Sequence, residues 1–318
     1  MDACVKKVLG ELRRVTGNNH VRWPVGIELK ETSEGYAFLL SKEAVSANVQ
    51  TNAGAFEGWA LALKAWISKD IQIQLDWDAA SQEDRHYQRF LYRVIKLCSA
   101  TPWISVAASS KKHLEGSKVL LPCGKHKPGP FLVNAPCAQR SSKDPMGEFS
   151  EHRLEILFTL GTDLLAKSGC GGQEVRRQLP VGIFRDAVSS DNYVFTGKKS
   201  AIDLWSYDLK KGAVYLYELK GPKNNHVGAI SELMFYAYVI SDVLNDRFTL
   251  SSSESSDTEF SACGSVRAFL LTAAQHPLLN KKGVFQIVND AFSDACIQFG
   301  ALEYSLSEEG IRSVERKY

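Results

Sequence analysis

Three charged residues, Asp203, Glu218 and Lys220, are of types that together could hydrolyse a phosphodiester bond. Glu218 and Lys220 lie two positions apart in VYLYELK, an apolar segment typical of a buried strand. Side chains two apart on a strand leave the same face of the sheet. Asp203 lies in an earlier strand-like segment, KSAIDLW, and the residues around Lys210–Gly212 predict a turn between the two. Antiparallel pairing of these strands would bring all three side chains together.

This set of side chains is suited to a divalent cation. Buried carboxylates are costly unless they engage a partner. Mg²⁺ takes oxygen ligands, often one or two carboxylates with water and substrate phosphate, and Mn²⁺ can substitute for it. We expect Asp203, Glu218 and the Leu219 carbonyl to be the protein ligands. The cation would polarise the phosphodiester and help to form a hydroxide nucleophile, while Lys220 would steady the attacking water or the charge that develops on the phosphorus.

The tripeptide Glu-x-Lys is not specific by itself. At average composition it arises about once by chance in a chain of this length. A second copy, Glu28-Leu29-Lys30, also lies in a strand-like segment, but no Asp-bearing strand precedes it and no helix follows it directly. The copy at 218–220 has both. The evidence is therefore its place in the order of elements, and the alternative of a solvated charge pair stays open.

The C-terminal half predicts the element order α-β-β-β-α-β. The segment GEFSEHRLEILFTLGTDLLAKSG predicts one helix that stops at Gly169. EVRRQLPVGIF predicts the first strand, and the two segments around Asp203 and Glu218 predict the second and third. HVGAISELMFYAYVISDVL predicts a long helix with one apolar face, and VRAFLLTA predicts a further buried strand.

Residues 148–272 resemble the PD-(D/E)xK nuclease superfamily, whose core has this same order with the Asp and the E-x-K on adjacent strands. KSAIDLW is similar to the Asp motif, with Ile202 where the superfamily's name has proline, and VYLYELK is similar to the E-x-K motif. SELMFYAYVI resembles the following helix of the RecB-type branch, in which Q-x-x-x-Y is typical; here Glu232 replaces the glutamine and Tyr236 matches. The resemblance implies an α/β (α+β) fold, with a restriction-endonuclease-like core preceded by a smaller mixed α/β domain.

The resemblance also implies an acidic residue on the first helix, for which Glu148, Glu151 and Glu155 are candidates. Glu151 begins the pattern E-x-x-L-x-x-x-L/F, which is similar to the family's first motif, so it is preferred as a catalytic residue and Glu155 is second. A solvated helix face is the alternative for these glutamates. Glu232 and Tyr236 are secondary candidates, because residues four apart share a helix face. Their alternative is an exposed glutamate beside a packed tyrosine.

A proline-rich segment, residues 122–145, predicts the boundary between an N-terminal mixed α/β domain (1–140) and the nuclease-like domain (145–318). Before it, the sequence predicts a hairpin around Thr32–Gly35, helices in AGAFEGWALALKAWISK and EDRHYQRFLYRVIKLCSA, and strands in IQIQLDW and WISVAAS. We expect this region to recognise the substrate or a protein partner. Its five tryptophans fill a core or stack on bases. Five lysines either hold phosphates or are solvated: Lys111, Lys112, Lys118, Lys125 and Lys127.

The composition indicates a cytoplasmic globular protein. The chain of 318 residues is 44% hydrophobic and 23% charged, and it has no apolar run long enough to predict a membrane span. Its seven cysteines form no C-x-x-C pair and are expected to be reduced. The net charge of +2 does not indicate nucleic-acid binding over the whole surface, but a nuclease needs only one basic cleft.

The leading hypothesis is therefore a Mg²⁺-dependent nuclease that hydrolyses DNA phosphodiester bonds in defence, restriction or repair. The alternative is a catalytically inactive module of the same fold that binds nucleic acid or a protein. A small-molecule hydrolase of another class is disfavoured, since the chain lacks G-x-S-x-G, a glycine-rich phosphate loop and H-E-x-x-H.

Overall fold

The structure is a computed structural model, and it describes residues 2–49, 51–119, 131–136, 148–161, 163–172, 174–195, 200–251 and 258–318. The chain forms two compact units. The N-terminal unit comprises residues 1–123, 226–232 and 276–292, and the C-terminal unit comprises 124–225, 233–275 and 293–318. The predicted domain boundary at 140–145 lies outside the described residues.

The helices of the described residues are, in chain order, α1 (Ala3–Thr16), α2 (Lys42–Val45), α3 (Phe56–Trp66), α4 (Arg85–Ala100), α5 (Ala108–Leu114), α6 (Glu151–Leu160), α7 (Asp163–Lys167), α8 (Gly228–Leu244) and α9 (Lys282–Phe292). The strands are β1 (Ile27–Glu31), β2 (Gly35–Leu40), β3 (Gln72–Trp77), β4 (Ile104–Val106), β5 (Phe131–Val133), β6 (Arg176–Pro180), β7 (Ile183–Arg185), β8 (Ala201–Asp208), β9 (Ala213–Lys220), β10 (Thr249–Leu250), β11 (Ser265–Thr272), β12 (Ile297–Ser307) and β13 (Gly310–Arg316). The predicted mixed α/β class is confirmed.

The N-terminal unit contains a four-stranded sheet in the order β1-β2-β3-β4. The predicted hairpin is confirmed, because β1 and β2 pair antiparallel, whereas β2, β3 and β4 are parallel. At Gly35 a side chain would place its Cβ 2.2 Å from the carbonyl oxygen of Gln72 on β3. Only glycine permits this close approach of the hairpin to the next strand.

The tryptophans of this unit pack with its core. Trp59, Trp77 and Trp103 are buried. Trp23 and Trp66 are half-buried; the rings of Trp23 and Trp59 lie 4.9 Å apart, and the Trp66 indole donates to the Leu278 carbonyl at 2.8 Å. These contacts favour the core interpretation over base stacking, because stacking needs exposed ring faces.

The C-terminal unit contains a six-stranded sheet in the order β13-β12-β11-β9-β8-β6. Strands β6, β8 and β9 form an antiparallel meander. Strands β9, β11 and β12 are parallel, and β13 pairs antiparallel with β12. A smaller sheet has the order β10-β5-β7. The predicted first strand is therefore two strands, β6 and β7, which belong to different sheets, with Pro180 at the end of β6. Strands β12 and β13 complete this sheet, whereas α9 belongs to the N-terminal unit. The sequence made no prediction for residues 276–318, which contain these three elements.

The single helix predicted to end at Gly169 is wrong in extent. The structure has two helices, α6 and α7, because Gly161 leaves the helical region at φ −98° and ψ 51°. Glycine is a poor helix former, so the helix ends there at little cost. The long helix predicted for HVGAISELMFYAYVISDVL is confirmed as α8, and its burial extends beyond the predicted apolar face, since every residue from Gly228 to Val243 is buried. Four polar side chains of α8 are buried with the apolar ones: Ser231, Glu232, Ser241 and Asp242.

One face of the six-stranded sheet packs against α6. Leu154 and Phe158 of that helix form a buried cluster with Tyr217 and Leu219 of β9 and Tyr304 of β12. Because side chains alternate along a strand, the residues between them on β9 leave the opposite face. Glu218 and Lys220 therefore point away from α6.

Within the described residues, no helix is both long enough and apolar enough to cross a membrane.

Candidate active site

The hairpin of β8 and β9 brings the three predicted residues together. The last paired residues of the ladder are Leu204 and Tyr217, so Asp203 and Glu218 are the next to face each other. The backbone N–H of Leu219 donates to Asp203 Oδ2 at 2.9 Å. The carboxylate is thus held against the middle of the Glu-x-Lys tripeptide. The predicted juxtaposition is present in the structure.

Glu218 and Lys220 form a buried ion pair. Their exposed fractions are 1% and 4%, and Lys220 Nζ donates to Glu218 Oε1. On the adjacent parallel strand β11, Leu270 pairs with Glu218 and Thr272 with Lys220. Burial strengthens the attraction between these charges but also removes them from water, so each side chain depends on the other. The interpretation of 218–220 as a solvated pair is therefore wrong.

The donor atoms at this site are of the kind that a hard divalent cation requires. Asp203 is half-buried, and it could share a cation with Glu218 and the Leu219 carbonyl. Among the described residues, no group of three or more His, Cys, Asp and Glu side chains is placed to hold a metal ion. Two carboxylates suffice for Mg²⁺, which keeps several water or phosphate ligands. The donor set fits such an open site and does not fit a closed zinc cage.

Glu151 lies at the edge of the site. It is the first residue of α6, which is capped by Ser150, whose Oγ accepts the N–H of Arg153 at 3.2 Å. Glu151 Oε1 accepts from the backbone N–H of Gly221 at 3.0 Å and from the Asn224 side chain at 2.7 Å. Gly221 directly follows Lys220. The structure therefore connects Glu151 to the backbone beside Lys220, and a solvated helix face does not describe this residue.

Glu155 lies one turn further along α6 and is buried. Its Oε2 accepts from the side chain of Gln178 at 2.9 Å. Burial raises the pKa of Glu155, opposed in part by this hydrogen bond. The two neighbours of Gln178 on β6 pair with Leu204 and Ile202 of β8, so Gln178 lies alongside Asp203. Gln178 has φ +57°, a conformation that is uncommon for residues other than glycine.

The remaining candidates are one exposed residue and two buried ones. Glu148 is exposed and precedes α6. Glu232 and Tyr236 lie on α8 and are 2% and 5% exposed, so the alternative of an exposed glutamate is wrong. The boundary between the two units falls within α8, between Glu232 and Leu233, so Glu232 and Tyr236 belong to different units.

Tyr304 is a residue of the site that the sequence analysis missed. It lies on β12, and its hydroxyl donates to the backbone carbonyl of Lys220 at 2.8 Å. Burial, and to a lesser extent the charge of Glu151, raise the pKa of Tyr304. The alternation in IQFGALEYSLS could have indicated the strand, but its contact with Lys220 depends on the order of the sheet.

Of the predicted phosphate-binding lysines, Lys111 and Lys112 are exposed on α5. Lys118 pairs with Glu83 at 2.5 Å. Lys125 and Lys127 lie outside the described residues. Phosphate binding by these lysines stays a prediction.

Compared with models of known protein families, with curated proteins and with solved structures, the chain matches none of them.

Proposed function

We propose that the C-terminal unit is a metal-dependent nuclease of the PD-(D/E)xK type that hydrolyses DNA phosphodiester bonds, in defence, restriction or repair. One observation carries the proposal. The Asp203 carboxylate is hydrogen-bonded to the backbone inside the tripeptide Glu218-Leu219-Lys220, on the adjacent antiparallel strand. This contact supports the arrangement that the resemblance implies, with the Asp and the E-x-K on adjacent strands.

The order of the elements supports the proposal. Helix α6 precedes the antiparallel strands β6, β8 and β9, and α8 connects β9 to the parallel strand β11. An α-β-β-β-α-β order with the Asp and the E-x-K on the second and third strands is what the superfamily predicts. Strands β12 and β13 extend the sheet beyond that core.

The side chains divide the chemistry between them. A bound divalent cation would polarise the phosphodiester and lower the pKa of a water molecule. Asp203 and Glu218, with the Leu219 carbonyl, would hold that cation. The Lys220 ammonium is kept in place by its ion pair with Glu218, where it would orient the attacking water and offset the negative charge that develops on the phosphate. Fixed charges in a dry environment need little reorganisation during the reaction.

The test is cleavage of plasmid, linear duplex and single-stranded DNA with Mg²⁺ or Mn²⁺. We expect wild-type protein to cut DNA and EDTA to abolish cutting. The variants Asp203→Asn and Lys220→Met should lower the rate by about 100-fold or more, the loss typical when a charge-stabilising group is removed. Cutting that survives EDTA or Asp203→Asn would exclude these roles.

The chain contains a matched control for the lysine. Lys30→Met alters the same tripeptide at its other copy, on β1 in the N-terminal unit, where Lys30 is exposed. This variant should cut DNA at the wild-type rate. An equal loss in both lysine variants would remove the assignment to 218–220. If the wild-type protein binds DNA without cutting it, the function is that of the binding module.

A further inference from the structure

We propose that Glu151 is a positioning residue and not a metal ligand. Glu151 and Tyr304 hydrogen-bond to the two ends of the peptide group that joins Lys220 to Gly221. These two contacts form a grip on the backbone and so fix the position of the Lys220 Cα, from which the side chain extends. This inference rests on the proposed function. It assigns to Glu151 a role different from the catalytic one that the sequence predicts, and it adds Tyr304 as a second positioning residue.

The carbonyl oxygen of Lys220 and the N–H of Gly221 belong to one peptide group. Tyr304 donates its hydroxyl to that carbonyl at 2.8 Å, and Glu151 Oε1 accepts that N–H at 3.0 Å. Because a peptide group is planar and rigid, hydrogen bonds at both ends define its orientation. This orientation in turn sets the backbone of Lys220.

A regular strand needs no such contacts from distant side chains. Strand β9 ends at Lys220, so the polar groups just beyond it leave the ladder of the sheet. Buried backbone groups must find partners elsewhere. Here they find two side chains that are 84 and 70 residues away in sequence. The last residue of the Glu-x-Lys motif is thus held by contacts that the hairpin itself does not provide.

Glu151 and Tyr304 are themselves held in place. Glu151 is the first residue of α6, where the partial positive charge of the helix N-terminus favours a carboxylate. That helix is anchored through Leu154 and Phe158 in the buried cluster. The Tyr304 ring belongs to the same cluster and packs edge-on against Phe158, with ring centroids 5.9 Å apart. Through these two side chains, the backbone at Lys220 is connected to the buried cluster.

The hydrogen bonds of Glu151 separate this role from metal binding. Glu151 Oε1 accepts two hydrogen bonds, the second from Asn224 at 2.7 Å, which uses both lone pairs of that oxygen. Among the described residues, Glu151 does not join Asp203 and Glu218 in a group of acids placed to hold a metal ion. The Oε1 atom of Glu151 is thus committed to Gly221 and Asn224, and this commitment assigns Glu151 to holding the backbone that follows Lys220.

The experiment compares Glu151→Gln, Glu151→Ala and Tyr304→Phe. Glutamine keeps the oxygen that accepts the Gly221 N–H. For Glu151→Gln we therefore expect the hydrogen-exchange rate of the Gly221 amide, the affinity for Mn²⁺ and kcat each to stay within about threefold of the wild-type value. Glu151→Ala and Tyr304→Phe should each speed exchange at Gly221 by about five- to tenfold, as expected for one lost hydrogen bond. Both should lower kcat for DNA cleavage and leave KM and Mn²⁺ affinity unchanged.

Two control variants make the same substitutions, Tyr to Phe and Glu to Gln, at other positions of the C-terminal unit. Tyr207 lies on β8, and Tyr207→Phe removes the hydroxyl that donates an exposed hydrogen bond to Glu259. Glu174→Gln neutralises an exposed acid that is paired with Arg176. Neither should alter exchange at Gly221 or kcat. Thermal melting of each variant identifies any that fail to fold.

The outcomes are distinguishable. If Glu151→Gln weakens Mn²⁺ binding tenfold or more, Glu151 is a ligand and the inference is overturned. Unchanged exchange and kcat in Tyr304→Phe would overturn the grip. Hydrogen exchange and Mn²⁺ titration do not require cutting, so a wild-type protein that fails to cut DNA refutes the proposed function separately from these two measurements.

Discussion

Asp203 Oδ2 accepts the backbone N–H of Leu219 at 2.9 Å, across the hairpin from a residue 16 positions later in the chain. The bond holds the Asp203 carboxylate against the backbone of β9, the strand that carries Glu218 and Lys220. A side chain fixed in this way can lose its charge and keep its position, provided that an oxygen acceptor remains. This property separates the chemical contribution of Asp203 from its structural one.

Asp203→Asn should therefore abolish cleavage and preserve the fold. The asparagine oxygen can accept the same N–H, so the free energy of unfolding in urea should change by about 1 kcal/mol or less. DNA cleavage should fall by about 100-fold or more, because the negative charge is lost. Asp208→Asn is the control: its carboxylate accepts from the N–H groups of Lys210 and Lys211 at the turn of the same hairpin. A drop in stability confined to Asp203→Asn would contradict the prediction.

The ion pair of Glu218 and Lys220 should behave as a unit in stability measurements. Glu218→Gln leaves a buried ammonium beside a neutral amide, and Lys220→Met leaves a buried carboxylate beside an apolar chain. Each single change should lower the free energy of unfolding by about 3–5 kcal/mol. The double variant should be less destabilised than the sum of the two, as a double-mutant cycle in urea would measure. Additive losses would show that the two charges do not depend on each other.

A second buried ion pair should stabilise the N-terminal unit. Arg93 of α4 donates through Nε to Glu57 Oε1 at 2.7 Å and through Nη2 to Glu57 Oε2, and it also donates to the Gly54 carbonyl at 2.7 Å. Glu57→Ala or Arg93→Ala should cost about 3–5 kcal/mol in chemical denaturation, because each leaves a charge buried. Lys7→Ala is the control, since Lys7 and Glu31 form an exposed pair and should matter little. Equal effects at both places would contradict the burial argument.

Glu155 should make stability depend on pH. Burial raises its pKa in the folded protein, so the folded state binds the proton more tightly than the unfolded state. Its contribution is fully present below the unfolded pKa and is lost as pH rises through the folded pKa. Glu155→Gln keeps an acceptor for Gln178 and cannot ionise. In thermal melts from pH 4 upwards, the Tm of Glu155→Gln should rise relative to that of wild type as the pH increases. A difference in Tm that stays constant with pH would contradict the prediction.

The sequence was sufficient for the local part of the site. Alternation along VYLYELK determines that Glu218 and Lys220 share one face of a strand, because successive side chains on a strand leave opposite faces. The short turn before this strand determines that it pairs with the segment carrying Asp203, because adjacent strands joined by a tight turn pair antiparallel. These inferences need only neighbouring residues and standard backbone geometry.

Tertiary structure alone decided the contacts between elements far apart in the chain. Glu151 reaches Gly221 and Tyr304 reaches Lys220 because the order β12-β11-β9-β8 and the packing of α6 bring them there. Periodicity specifies which face of an element is buried but not which other element covers it. The sequence therefore predicted the two strands that carry Asp203, Glu218 and Lys220, whereas the side chains that hold the peptide group after Lys220 became visible only in the folded chain.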